Sequence, residues 1–150
     1  MTKENIISIQ NLWADGIIEM GKLSNRRESL ELFANDFLDE MYDFEDSVLF
    51  KPTKAAEEQF RNTKNSALSY FIAGNRRECK EDTGFALSCW TEIIFENSKI
   101  IINRDIAAAM GNYTFSNDEN SIKVEYSFVY KYIGDKLKII LHHSSLPYRT

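Results

Sequence analysis

Residues 122–146, IKVEYSFVYKYIGDKLKIILHHSSL, contain two long stretches of alternating side chains joined by Gly134 and Asp135. In the first stretch, one set of alternate residues is apolar or aromatic, namely Val124, Tyr126, Phe128, Tyr130 and Tyr132. Alternation with a period of two is typical of a β-strand that buries one face. The short connection predicts an antiparallel hairpin, and strands of this length twist and coil. The stretch therefore predicts a curled antiparallel sheet with one aromatic side.

More strand patterns surround this hairpin in the second half of the chain. The strand candidates are Phe85–Phe95, Lys99–Asn103, Ile106–Phe115, Ile122–Ile133 and Lys136–Leu146. Turn-forming residues separate them at positions 96–98, 104–105, 116–120 and 134–135. Because a parallel pair needs a crossover of about a dozen residues or more, these connections predict an antiparallel meander. A further short strand, residues 47–50, is expected just before Pro52.

The first half of the chain has the apolar spacing of helices. Side chains recur at three- and four-residue intervals and predict a helix from Lys3 to Leu23, in which Gly16 is a mild weakness. A second helix is expected after a cap at Asn25, and a third from Thr53 to Gly74. Since 150 residues suit one hydrophobic core, we predict a single α+β domain, residues 1–150, with the helices before the sheet.

Composition and charge exclude several classes of partner. The chain has 18 basic and 23 acidic residues, and its formal charge of -5 argues against binding to nucleic acid. No segment has the length and hydropathy of a membrane span, so no membrane partner is expected. The two cysteines, Cys79 and Cys89, are too few for a disulfide framework. We expect a cytoplasmic protein with reduced thiols, although a bridge between the two cysteines stays possible.

Three segments of the second half carry a resemblance to a known superfamily: residues 111–115 (GNYTF), residues 126–130 (YSFVY) and residues 141–147 (LHHSSLP). They resemble the last three strands of the nuclear transport factor two-like superfamily. Within it, the resemblance is to SnoaL-like bacterial relatives of the association domain of calcium/calmodulin-dependent protein kinase II. Residues 31–36 and 48–53 are similar to this group as well, so that the resemblance covers about residues 5–148.

The resemblance implies a cone in which a bent antiparallel sheet wraps around helices and opens at one end into a pocket. Combined with the aromatic pattern, it predicts a pocket lined by Trp13, Phe37, Tyr113, Tyr126, Phe128, Tyr130 and His143. It also implies association of the chain with itself through the outer face of the sheet, as a homodimer or a larger ring. A small-molecule ligand in the pocket is a further expectation.

Candidate catalytic residues are few. Glu92 and Glu125 stand on predicted strands, and either could face the cavity as a carboxylate base. His142 and His143 are adjacent on a strand, so they point to opposite faces and do not form a metal pair. His143 matches a histidine of the kinase association domain, for which we favour a structural or pocket-lining role over that of a base. His142 is expected at an interface or at the surface.

Two functions from different classes follow. The first is a non-catalytic module for small-molecule binding or self-association, because no catalytic motif stands out. The alternative is a small enzyme of the ketosteroid isomerase or polyketide cyclase type, which acts by proton transfer with a carboxylate and tyrosine hydroxyls. Neither function calls for a metal or another cofactor. The fold alone does not choose between them.

Overall fold

A computed structural model describes residues 1–149, in which three α-helices precede most of a five-stranded sheet. The helices are α1 (Lys3–Lys22), α2 (Arg27–Met41) and α3 (Lys64–Ile72). The strands are β1 (Leu49–Lys51), β2 (Glu92–Asn103), β3 (Ile106–Ser116), β4 (Ser121–Ile133) and β5 (Lys136–Ser145), and a short 3-10 helix spans Phe85–Ser88. No helix between residues 1 and 149 is long and apolar enough to cross a membrane.

The sheet has the order β1-β5-β4-β3-β2. The strands from β2 to β5 form an antiparallel meander, and β1 pairs in parallel with β5. The sheet is curved, and α1 packs on its concave side. These features confirm the predicted α+β fold with a bent antiparallel sheet around helices.

Helix α1 fills the interior of the curved sheet. It begins with a capping box, in which Thr2 and Asn5 satisfy each other's backbone N–H groups. Its buried face comprises Ile6, Ile9, Trp13, Ile17 and Met20, at the spacing that predicted the helix. The ring of Trp13 contacts those of Phe71, Phe95, Tyr113, Phe115 and Phe128. The aromatic side of the sheet is therefore packed mainly against this one side chain.

The prediction that a third helix begins at Thr53 is wrong. Helix α3 begins at Lys64, where Thr63 and Ser66 form a capping box, and residues 52–63 form a loop. The carboxylate of Glu81 accepts hydrogen bonds from the backbone N–H groups of residues 56, 57 and 58. In a helix capped at Thr53, the N–H groups of residues 57 and 58 would instead donate to carbonyl groups of the helix. Arg61 is fully buried and makes a bidentate ion pair with Asp82.

The predicted turn at residues 96–98 is also wrong. Strand β2 is continuous from Glu92 to Asn103 and contains a β-bulge at Ser98, between Asn97 and Lys99. Gly111 lies opposite this bulge, so close to the carbonyl oxygen of Glu96 that a Cβ atom would overlap it. Residues 85–88, predicted as part of a strand, form the 3-10 helix instead, and Cys89 follows with a left-handed φ of 55°.

Candidate active site

Four polar side chains meet inside the curved sheet: Tyr42, Tyr113, His142 and Ser144. The hydroxyl of Tyr42 lies 2.9 Å from Nδ1 of His142. On the other side of the ring, Nε2 lies 3.0 Å from the hydroxyl of Tyr113 and 3.1 Å from Oγ of Ser144. The hydroxyls of Tyr113 and Ser144 also contact each other. His142 is only 2% exposed, so both of its ring nitrogens find their partners inside the protein.

A bulge in β5 decides which histidine joins this cluster. Ile140 has no partner on β4, because the pairing shifts by one residue there. Since neighbouring residues of a strand point to opposite faces, one extra residue reverses the alternation beyond it. Ile139 faces the interior before the bulge, and His142 faces it beyond the bulge. In a strand without the bulge, His143 would have pointed inward.

A small hollow lies beside the cluster and has mostly apolar walls. Its apolar lining comprises Trp13, Phe50, Pro52, Phe71, Phe85 and Phe115. Polar groups reach it from His142, Ser144 and Tyr113 on one side and from Thr53 and Tyr70 on the other. Its free volume of about 10 Å³ is the room that roughly one water molecule needs. The hollow is thus much smaller than the pocket expected from the sequence, because Trp13 occupies most of the interior.

Burial keeps the titratable groups of the hollow uncharged. It lowers the pKa of His142 well below its ordinary value of 6.5, and the nearby His143 acts in the same direction. It raises the pKa of Tyr113 well above its ordinary value of 10, and it raises the pKa of Tyr70 as well. The imidazole also stacks on the ring of Phe128, with 4.0 Å between the ring centroids. At neutral pH the hollow therefore offers neutral hydrogen-bonding groups.

The structure separates the residues predicted to line the pocket. Trp13 and Tyr113 are among the residues that line the hollow. The other aromatic candidates, Phe37, Tyr126, Phe128 and Tyr130, are buried in the core but are not among the residues that line it. Phe37 packs between α1 and α2, and Tyr126 donates a hydrogen bond to Asn97 in β2. The aromatic stripe of β4 is thus mostly core packing, with Phe128 behind the imidazole of His142.

All three predicted catalytic candidates lie outside the hollow. Glu92, Glu125 and His143 are exposed on the outer face of the sheet. The carboxylate of Glu125 accepts a hydrogen bond from Ser145 there, 3.0 Å away. We expected His143 to be structural or to line the pocket, and His142 to lie at an interface or the surface. The structure shows the reverse, since His142 is buried and His143 is exposed. The bulge at Ile140 is the physical reason.

Four polar residues of the site were not singled out from the sequence: Tyr42, Thr53, Tyr70 and Ser144. The spacing of Ser144, two residues beyond His142 on the same strand face, could have indicated that they lie together. Tyr42 follows the end of α2, 100 residues before His142 in the sequence, and no local pattern connects them. Among residues 1–149, no group of three or more His, Cys, Asp and Glu side chains could hold a metal ion.

Comparison with known proteins now identifies the family. Residues 4–146 match the family model of metal-independent carbonic anhydrases. The chain belongs to this family. A metal-independent carbonic anhydrase from Nostoc sp. (strain PCC 7120 / SAG 25.82 / UTEX 2576) is 32% identical to it over 155 residues, which cover 99% of the chain and 75% of that protein. A crystal structure of a cyanobacterial iota-carbonic anhydrase in complex with bicarbonate is 30% identical. It has a TM-score of 0.94 and covers 100% of this chain and 94% of that one.

More distant structures share only the fold of this metal-independent carbonic anhydrase family member. An association domain of the calcium/calmodulin-dependent protein kinase II type from Xanthomonas campestris has a TM-score of 0.67 at 16% identity, and covers 100% of this chain and 91% of that one. A nuclear transport factor two-like protein of unknown function from Shewanella oneidensis MR-1 has a TM-score of 0.61 at 15% identity, with coverages of 97% and 99%. The resemblance noted in the sequence is thus confirmed at the level of the fold.

Membership of the metal-independent carbonic anhydrase family corrects both functional predictions. A non-catalytic module for binding or self-association is wrong as the main function, because the family is one of enzymes. An isomerase or cyclase that acts by proton transfer is wrong as well. The resemblance stated from the sequence agrees with the more distant structures in fold, and it missed the metal-independent carbonic anhydrase family.

Proposed function

We propose that this chain catalyses the reversible hydration of carbon dioxide to bicarbonate in the hollow beside His142. The observation that carries this proposal is the TM-score of 0.94, over the whole chain, to an iota-carbonic anhydrase crystallised with bicarbonate. The composition of the hollow supports it, because the walls are apolar and the polar groups converge on one small volume. Carbon dioxide is apolar and suits the apolar walls. Bicarbonate is an oxygen-rich anion and suits the converging polar groups.

The chemistry requires the stabilisation of negative charge on oxygen. Water adds to the carbon of carbon dioxide, a C–O bond forms, and the electron pair of one C=O π bond moves onto its oxygen. One proton of the water is released to the solvent, which leaves bicarbonate. A neutral O–H donor of the cluster formed by His142, Tyr113 and Ser144 stabilises the developing oxyanion, as preorganised donors do in a site shielded from water.

The hollow must widen for bicarbonate, because its present volume suits roughly one water molecule. The wall opposite His142 includes Pro52 and Thr53, which belong to the loop of residues 52–63. Tyr70 holds this loop through a hydrogen bond that its hydroxyl accepts from the backbone N–H of Lys54, at 3.2 Å. We assign the required movement to this loop, since the other residues that line the hollow lie on helices and strands.

The test is the rate of carbon dioxide hydration, measured by oxygen-18 exchange or stopped flow, with and without a metal chelator. We expect activity that the chelator leaves unchanged. In Ser144→Ala, the loss of one donor should lower kcat by about 100-fold. The matched control is His143→Gln, which changes an exposed residue of the same strand. A rate no higher than that of buffer alone, or equal losses in the two variants, would contradict the proposal.

We also propose that the chain forms a homodimer through the outer face of its sheet. Five apolar residues lie in register across all five strands there, and we call them the apolar row: Ile101, Ala108, Val129, Leu141 and Leu49. Met110, 61% exposed, adds to this surface beside the row. An exposed apolar patch of this kind is typical of an interaction surface.

Charges beside the apolar row favour a second copy of the chain as the partner. On one side, Lys131 of β4 pairs with Lys138 of β5. On the other side, the next row carries Lys99 of β2 and Lys51 of β1, and Glu96 and Glu125 share the row beyond it. A two-fold axis midway between the Lys131–Lys138 row and the Glu96–Glu125 row would place Lys131 and Lys138 of one copy opposite the glutamates of the other. Two lysines at one margin of the apolar surface would thus meet carboxylates of a second copy.

A further inference from the structure

The hydrogen bonds around His142 fix the direction in which each proton points. Behind the imidazole, Nε1 of Trp13 donates a hydrogen bond of 3.0 Å to the hydroxyl of Tyr42. An indole nitrogen can only donate, so Tyr42 is the acceptor in this bond. The single proton of Tyr42 remains, and the other polar neighbour of this hydroxyl among residues 1–149 is Nδ1 of His142, 2.9 Å away.

This arrangement assigns the tautomer of His142. Tyr42 is 1% exposed, and if its O–H did not donate to Nδ1, the proton would be left unpaired inside the core. Nδ1 therefore accepts, and in a neutral imidazole the ring proton then lies on Nε2. Nε2 is the nitrogen that faces Tyr113 and Ser144 at the hollow.

The tautomer in turn decides what the hollow presents to a ligand. Nε2, the hydroxyl of Tyr113 and the hydroxyl of Ser144 contact one another in a triangle. When Nε2 donates to one hydroxyl, that hydroxyl donates to the other, and the last O–H proton is left to point into the hollow. With the proton on Nδ1 instead, both hydroxyl protons would be used in the chain toward Nε2, and only lone pairs would face the hollow.

We infer that Trp13 and Tyr42 act as positioning residues, which hold His142 as the Nε2–H tautomer so that the site presents an O–H donor to an oxygen atom of its ligand. This inference deepens the proposed function and rests on it for the identity of the ligand, bicarbonate. An outward-pointing donor fits an oxyanion, whereas an outward-pointing lone pair would repel it. In this arrangement His142 donates to the cluster and does not accept a proton from water.

The experiment uses nuclear magnetic resonance of protein labelled with ¹⁵N-histidine, without substrate. Two-bond ¹H–¹⁵N correlations distinguish a protonated ring nitrogen from an unprotonated one. The chain has two histidines, so a spectrum of His143→Gln assigns the signals of His142. We expect the proton on Nε2 in the wild type. A proton on Nδ1 would overturn the inference, and this result does not depend on the folding of any further variant of Tyr42.

Tyr42→Phe tests the cause of the preference. It leaves Nδ1 without a donor, and we expect the Nδ1–H tautomer to become populated and the affinity for bicarbonate to fall about tenfold, which is the effect of one hydrogen bond. The matched control is Tyr126→Phe, which removes a buried hydroxyl that donates to Asn97 and has no contact with His142. It should keep the wild-type tautomer and affinity. Wild-type tautomer signals in Tyr42→Phe would overturn the role of Tyr42.

The outcomes for the two proposals are separable. An Nε2–H imidazole in a protein that does not hydrate carbon dioxide would contradict the proposed function and support the tautomer assignment. An active enzyme whose His142 carries the proton on Nδ1 would support the proposed function and contradict the tautomer assignment.

Discussion

At the scale of single residues, His142 is the side chain on which the site depends. Its imidazole stacks on Phe128 and Phe50, and both ring nitrogens form hydrogen bonds with hydroxyl groups. Protonation would place a charge among apolar rings, so burial holds its pKa well below the ordinary value of 6.5. Neutrality at this residue is a property of the folded state, because in the unfolded chain the same imidazole is hydrated.

This difference predicts a pH dependence of stability. Between about pH 6.5 and the lower pKa of folded His142, the unfolded chain binds a proton that the folded chain does not. Stability therefore falls as the pH is lowered through this window, by up to about 1.4 kcal/mol per pH unit. Urea unfolding at about pH 7.5 and about pH 5.5 measures the effect.

The comparison requires two histidine variants. His142→Gln should lose less stability on acidification than the wild type, because it lacks the titrating group. His143→Gln should lose about as much as the wild type, since His143 is exposed in the folded protein. Equal losses in the wild type and His142→Gln would show that His142 is not the cause of the pH dependence.

At the scale of elements, the contact between α1 and α2 explains why a glycine stands inside a helix, where helix propensity alone would favour alanine. Gly16 lies inside α1, where alanine would be favoured by about 1 kcal/mol. The ring of Phe37 from α2 packs directly on Gly16, so that a Cβ atom would overlap it. The glycine is therefore a packing requirement of the helix pair.

We expect Gly16→Ala to lower the free energy of unfolding by about 1–3 kcal/mol, because the Phe37 ring must move out of a packed position. In a Phe37→Ala background, the same substitution should instead raise the free energy of unfolding by up to about 1 kcal/mol. Urea unfolding of the wild type, the two single variants and the double variant gives the four free energies of unfolding of a double-mutant cycle. An effect of the same sign in both backgrounds would exclude the ring as the cause.

At the scale of the whole molecule, the outer face of the sheet is the surface for which we propose a second copy of the chain as partner. The apolar row crosses the sheet from β2 to β1. Lys131 and Lys138 lie on one side of it, and Glu96 and Glu125 lie on the other side, beyond a row that carries Lys99 and Lys51. The hollow is lined by buried residues of the inner face, so a dimer through the outer face would not cover it.

The prediction for the molecule is a dimer in solution, with twice the mass of one chain in sedimentation or light scattering at tens of micromolar. Met110→Glu should shift it to the monomer, because a charge would be buried in the interface. The matched control is Leu12→Glu on α1, since Leu12 and Met110 are both 61% exposed. A monomeric wild type, or equal dissociation of both variants, would contradict an interface at the sheet.

The sequence by itself determined the classes of the elements and their order. The spacing of apolar residues in α1 and the alternation in β4 are local properties, because each follows from the geometry of one helix or one strand. Short connections then forced β2 to β5 into an antiparallel meander. The α+β fold class could be predicted from these patterns, whereas the cone shape was implied by the resemblance of residues 111–115, 126–130 and 141–147 to known proteins.

Only the tertiary structure decided which residues form the site. The bulge at Ile140 is a property of the pairing between two strands, so the sequence of β5 did not show that His142 would face inward. The loop of residues 52–63 depends on Glu81 and on the Arg61–Asp82 ion pair, which lie apart in sequence. Tyr42 and His142 meet across 100 residues of chain, because packing brings together groups that no local pattern connects.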